Sequence, residues 1–473
     1  MNATLRRLAL ILLLLPAGCI VPGAPDESDL NAVDDNAVVL VDRIKDKPTD
    51  LEAHADLLRL QIQRGDAEGA RGTVEHAMFH NPGDFRAPLL AAQFYRWQLD
   101  LITAEKMLLK SRDLAPAAVE PRIALAALYS ECALEEQELQ QRRIVTELAE
   151  AAFRAEFELD YAYALSHAGR PAEAAQAARR VVDAAGAGKA RARAWILLAQ
   201  LALDAGDEAA CLTAALEARK ADMRERGPLR FLARLAGALQ NPEPLLKSFD
   251  EALATQEDPE ARFAALFGAW TACTKLAVAA GRDPDGQDAH AYWARLRDLD
   301  PGQVDALSRR YQVVSLLPTY TEETSAVKQM IEEQRVGLPA KVQSLDRLML
   351  LWRAEDCLRL GAARPSIAAL RALEKAEPAL PGLRLMLATA LFVARQDGPC
   401  RDLLASLLAE AKAEPDELMA LQWQLDLRAG KAPELARALE ARGEQTTQAA
   451  LWTLAVARLH TYRRGEGKAG GGK

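Results

Sequence analysis

The chain has 473 residues, 50% of them hydrophobic but only 5% aromatic, with a net charge of −8 and an isoelectric point near 5.5. That Ala- and Leu-rich composition marks an ordered helical chain, long enough for two or three domains or for one array that grows by repetition. Neutralising phosphates takes clustered Lys and Arg, so an acidic chain without a basic block argues against a nucleic-acid partner.

Residues 1–18 read as an export signal. Arg6 and Arg7 precede an unbroken apolar run from Leu8 to Leu15. Pro16 ends that run after eight residues, far short of the roughly 20 that a spanning helix needs. Leu15, Ala17, Gly18 and Cys19 resemble a bacterial lipoprotein signal, with Pro16 standing where that family usually has an aliphatic residue. The resemblance implies a lipid on the Cys19 thiol and a protein anchored in the cell envelope. Ile20, instead of Asp, follows the cysteine, which implies the outer membrane facing the periplasm if the source is Gram-negative. The stretch IVPGAPDESDLNAVDD carries two prolines, a glycine and five acidic residues. It buries too little apolar surface to fold, so residues 19–33 are expected to form a flexible tether.

From residue 34 onward the chain repeats itself. Pro48, Pro82 and Pro116 lie 34 residues apart. Between the first two, one helix is expected to run to a turn at Gly65 and Asp66, and a second to bury Ala70, Val74, Ala77 and Met78, an i, i+4, i+7, i+8 stripe. The next unit offers Ala91, Ala92, Tyr95, Ala104 and Leu108, and the third Leu125, Ala126 and Tyr129, with Glu138 and Arg142 where Ala and an aromatic would be expected. Gly169 and Ala174 mark the fourth unit, and Trp195, Leu198, Ala199, Gly206 and Asp207 the fifth. These residues and this period resemble the tetratricopeptide repeat, a helix-turn-helix unit that stacks into a right-handed superhelical solenoid. The expected fold is therefore all-α.

A regular solenoid is expected over 34–258, divergent helical repeats with an insertion over 259–345, and a second regular stretch over 346–462 with Gly361, Gly398 and Gly430 as turn markers. The tail 463–473, RRGEGKAGGGK, is expected to be disordered. Cys132, Cys211, Cys273, Cys357 and Cys400 sit in apolar helical stretches without a Cys-x-x-Cys spacing, so they read as core residues and not as a disulfide frame.

Stacked hairpins of this kind leave a groove lined by first helices, and the resemblance implies that a peptide or protein surface is held there. Mapped onto this chain, the groove places are Arg59, Gln63, Gln93, Arg96, Trp97, Ser130, Glu131, Tyr163, His167 and Gln200. The function expected is a membrane-anchored protein-interaction scaffold of the bacterial envelope. The alternatives are a subunit of a polymer or protein export complex, for example for exopolysaccharide, and an envelope enzyme or metal-binding protein built on 259–345.

Other chemistry finds little support. His76 and His80 stand one helical turn apart but lack an evident third ligand. Asp283, Asp285 and Asp288 resemble a calcium loop at first, yet the twelfth place is Ala294, so a simple Asp-Pro-Asp-Gly turn is expected. No Gly-x-Ser-x-Gly elbow, phosphate-binding loop or convincing Ser/His/Asp or Cys/His set occurs. No catalytic residue, metal or cofactor is expected.

Overall fold

The computed structural model describes residues 27–470 except 185, 187, 301, 318–319, 336, 412–415 and 443–446. The expected export signal, residues 1–18, and Cys19 lie outside the described residues. The described residues fold as twenty-four helices, with no strand among them. None of these helices is long and apolar enough to cross a membrane.

One local device builds most of the hairpins. In the first, α2 (Leu51–Arg64) ends at Gly65, which adopts φ +73°. The Gly65 N–H donates to the Ile62 carbonyl at 3.1 Å and the Asp66 N–H to the Gln61 carbonyl at 2.9 Å. These bonds satisfy carbonyls that the helix end would otherwise leave orphaned. The Asp66 side chain then accepts from the Gly69 N–H at 2.8 Å and starts α3 (Ala67–His80). The same left-handed residue recurs at Leu99, Ala133, Gly169, Gly206, Gly361, Arg395 and Gly430. Five residues after each lies the place where the paired helices cross. Ala70, Ala104, Glu138, Ala174, Cys211, Ser366 and Cys400 are all buried there. Glu138 stands where a small residue is usual and is held by Arg142 Nε at 2.8 Å.

Three expectations about turns and ends change. Gly398 lies inside a helix, α21 (Asp397–Glu410), and the turn before it is made by Arg395 at φ +57°. α1 (Glu27–Asp46) already covers residues 27–33 of the expected tether. At the other end α24 (Gln448–Gly470) runs through most of the expected disordered tail. Arg463 and Arg464 anchor it there, through bonds to Glu105 and to the Gly430 carbonyl.

The contacts divide the chain into two compact units. The first consists of the residues up to Phe157 together with those from Gln422 onward. In it α1 packs on α2 through Ile44, Ala37 and Leu40 against Ala53 and Leu57. α2, α3 and α4 (Arg86–Trp97) share a core of Leu58, Ala70, Val74, Ala77, Leu90 and Phe94. α5 (Leu101–Leu114), α6 (Glu120–Glu131) and α7 (Glu135–Leu148) continue the pairs, and α24 packs on both α23 (Ala432–Glu440) and α5.

The second unit is Glu158–Leu421. Here α9 (Pro171–Ala184), α10 (Lys189–Asp204), α11 (Glu208–Ala221), α12 (Arg226–Ala238) and α13 (Glu243–Thr255) lead to α14 (Pro259–Ala279). α14 is 21 residues long and buries Ala265, Leu266, Ala269, Trp270, Ala272 and Thr274 on several sides at once. Such a helix must be enclosed, and α12, α13, α15 (Gln287–Leu299) and α18 (Leu345–Arg359) enclose it. Trp270 meets Trp293 at 5.6 Å and Trp352 at 5.8 Å between ring centres. α16 (Val304–Val314) and α17 (Thr321–Glu333) precede the hairpin of α18 and α19 (Ala363–Ala376), which α20 (Leu383–Val393) follows.

Candidate protein-binding face

In the first unit α2, α4 and α6 carry seven of the ten places expected to face a partner. Arg59, Gln63 and Gln93 are exposed. Arg59 bonds its helical neighbour Asp56, at 2.8 Å. Arg96 and Glu131 are brought together as an ion pair between α4 and α6. Burial pushes the Glu131 carboxyl up while Arg96 opposes the shift. Trp97 is half-buried against the core, its ring 6.2 Å from that of Phe94. Ser130 is half-buried and its carbonyl accepts the Ala133 N–H at 3.2 Å, as part of the turn. Outward-facing contact area therefore comes from Arg59, Gln63 and Gln93, whereas Arg96, Trp97 and Glu131 hold the repeats to each other.

The other three places belong to the second unit. The Tyr163 hydroxyl donates to the Arg193 carbonyl at 3.4 Å, with the Arg193 guanidinium 5.9 Å from its ring. Burial raises the Tyr163 pKa. His167 is exposed, but its carbonyl receives the guanidinium of Arg395. Gln200 is half-buried.

Distant segments cover the turn edge of the early repeats, an arrangement the repeat pattern gives no hint of. In the second unit Arg353 reaches Glu208 at 2.8 Å and the Arg364 N–H reaches Asp204 at 3.0 Å. In the first, His460 Nε2 donates to the Cys132 carbonyl at 2.7 Å, and Arg463 bonds both the buried Glu105 and the Tyr129 hydroxyl. The His460 contact brings a donor to the carbonyl end of α6, where unpaired carbonyls and the macrodipole favour it.

His54 is a residue the sequence reading missed. It is buried, its Nδ1 lies 2.6 Å from the Asp50 carbonyl, and its Nε2 lies 2.9 Å from His76 Nδ1. The signal was available: in an antiparallel hairpin the start of the first helix lies beside the end of the second. Among the described residues no group of three or more His, Cys, Asp or Glu is placed to hold a metal ion.

The inserted region carries a second surprise. Asp283 and Asp285 do form a turn, the Asp283 carboxylate accepting the Asp285 N–H at 2.9 Å. Asp285 then points inward and meets Arg310 in a fork at 2.5 and 2.8 Å, while Glu323 takes the other side of the same guanidinium at 2.7 Å. Burial works against the Asp285 carboxylate, but its bonds to Arg310 outweigh that and hold it below the ordinary range. Arg309 faces the opposite way, bonds Asp356 at 2.5 Å and lies 4.8 Å from the centre of the Trp352 ring. Gly237 makes room for this pair, since a Cβ there would stand 1.7 Å from the Asp356 carboxylate. Lys275 caps α12 through the Gly237 and Leu239 carbonyls at 2.6 and 2.5 Å, and burial pushes its pKa down to about 8. The acids pair with arginines and Lys275 is held by carbonyls, which is the arrangement of a structural core.

Cys132, Cys211, Cys357 and Cys400 are buried and Cys273 is half-buried. Burial pushes the thiols of Cys211 and Cys357 up to about 12.

No family model matches the chain, and no curated protein matches it. Among solved structures it is similar to the crystal structure of the P58(IPK) TPR domain, at 13% identity over 83% of this chain and 98% of that one. The TM-score of 0.22 is too low for anything to be carried across. The fold class rests on the hairpins themselves: the protein is an all-α array of tetratricopeptide-like helical repeats, with a left-handed turn residue returning every 34–37 residues from Gly65 to Gly206 and again from Gly361 to Gly430.

Proposed function

We propose that the protein is a protein-interaction scaffold of the bacterial cell envelope, anchored by a lipid on Cys19 and taking a peptide or protein partner on its first-helix face. The observation that carries this reading is the exposure of Arg59, Gln63 and Gln93 on neighbouring first helices, over a core that is already filled. Arg supplies the forked hydrogen bonding common at interfaces, and the two glutamines add donors and acceptors. The membrane part of the reading rests on the Leu8–Leu15 run and the cysteine that follows it.

A photo-crosslinking side chain at position 93, expressed in intact cells, tests the face. A discrete adduct from position 93, absent from position 75 on α3, supports it. Identical adducts from both positions, or none from either, remove the reason for choosing this face. Cys19→Ser tests the anchor separately, because a lipidated protein should leave the membrane fraction when that thiol is removed.

A further inference from the structure

Three imidazoles meet where α2 begins and α3 ends. A carbonyl can only accept, so His54 Nδ1, 2.6 Å from the Asp50 carbonyl, carries the proton. His54 Nε2 in the neutral ring is then an acceptor, and His76 Nδ1–H donates to it at 2.9 Å. His76 stacks on His54 with ring centres 5.2 Å apart, and His80 lies 4.3 Å from His76.

We propose that the His54–His76–His80 stack is a proton-operated latch that closes the α2–α3 hairpin when neutral and opens it when two protons have bound. The first proton enters at His76 Nε2, the lone pair left unused. An imidazolium still donates from Nδ1, so the bond to His54 survives. The second charge is not absorbed in this way. A proton on His54 Nε2 would face the His76 N–H, donor against donor, because Asp50 already occupies His54 Nδ1. A charge on His80 instead would stand one ring-width from a charged His76. Burial lowers the His76 pKa, with further lowering by His80 and His54.

Flanking groups do not compensate those charges. From α1, Arg43 faces the α2 start, bonded to Asp50 at 2.8 Å and 3.6 Å from Glu52. On α3 itself Arg71 and Glu75 are exposed. From the start of α4, Arg86 is bonded to Asp84 at 2.6 Å. Among the described residues no carboxylate forms an ion pair with His54, His76 or His80.

The test is amide hydrogen exchange of the full chain between pH 8 and pH 5, corrected for intrinsic rates. The opening constant of α2–α3 should rise more than ~10-fold per pH unit as the pH falls, steeper than one proton can produce. Amides of α10–α11 serve as the internal control. In His76→Gln the amide can still donate to His54 but cannot titrate, and the slope should fall to ~10-fold per pH unit or less. His80→Gln keeps the His54–His76 bond and should shift the opening to lower pH. A flat wild-type profile, or an unchanged profile in His76→Gln, overturns the proposal. If His76→Gln does not fold, an unshifted His80→Gln profile overturns it alone.

Discussion

Arg395 lies across Gly169. Its guanidinium donates to the His167 carbonyl, and its Cδ stands 2.8 Å from where a Cβ on Gly169 would be. Gly169→Ala therefore meets two penalties, a left-handed φ of +74° and the displacement of Arg395. Gly65→Ala meets only the first, since nothing lies within 4 Å of its Cβ position. The left-handed penalty is about 1 kcal/mol for a residue with a Cβ. Gly169→Ala should cost about 2 kcal/mol in urea unfolding and Gly65→Ala about half of that. Equal costs would mean that the Arg395 contact contributes nothing.

Ala133 takes φ +54° in the turn between α6 and α7, the place filled by glycine in several other pairs. Ala133→Gly relieves the strain but gives the unfolded chain more freedom, and the two effects partly cancel. A net gain of about 0.5 kcal/mol is expected, read as a rise in Tm. A fall in Tm would show that the Ala133 methyl packs more tightly than its half-buried state suggests.

Arg310 is fully buried and serves both Asp285 and Glu323. Arg310→Met leaves Asp285 buried without its cation and should cost about 3–5 kcal/mol. Arg310→Met combined with Asp285→Leu removes both charges and should recover part of that loss. The acid limb follows from the depressed Asp285 pKa. Its contribution is complete above the ordinary carboxylate pKa and is lost as pH falls through the lower folded value. Asp285→Asn should flatten the acid limb of a stability–pH profile.

His460 adds a second response near neutrality. Burial lowers its pKa, its bond to the Cys132 carbonyl opposes that, and Arg464 adds to the lowering. The neutral ring is therefore favoured in the folded state. Its contribution is present above about pH 6.5, the ordinary histidine pKa, and is lost as pH falls through the folded value. Exchange of α24 amides should quicken on acidification in the wild type and lose that dependence in His460→Gln, while the α2–α3 response persists.

The hairpins were legible because each is a local object. Period, crossing residue and turn lie within one 34-residue window, and Ala70, Ala104 and Ala174 could be placed by counting. Counting failed where Arg395 took the left-handed turn without a glycine, which drew the eye to Gly398 three residues later. The face was only half legible. Repeat register places Arg96 and Glu131 among the first-helix positions but does not say that each is spent on the other. Contacts between residues hundreds of positions apart, such as Arg463 with Glu105 and Tyr129, leave no periodic trace at all. His54 was missed because a lone histidine beside an N-cap aspartate looks unremarkable until the helix pair is closed.

The division of the face into outward and inward residues gives the sharpest functional prediction. Arg59, Gln63 and Gln93 are exposed, so changing all three to Ala should shift stability by less than about 0.5 kcal/mol per site. The same change should abolish the partner adduct formed from a crosslinker placed nearby, at position 60. Trp97→Ala should do the reverse of a clean binding mutation, since Trp97 packs on the Phe94 core and its loss should cost about 3 kcal/mol. Binding loss in Trp97→Ala would then follow unfolding of the α4 region, visible as a matching fall in Tm. If the triple variant keeps full capture while remaining folded, the partner uses another surface, and the exposed polar row on α2 and α4 serves solubility alone.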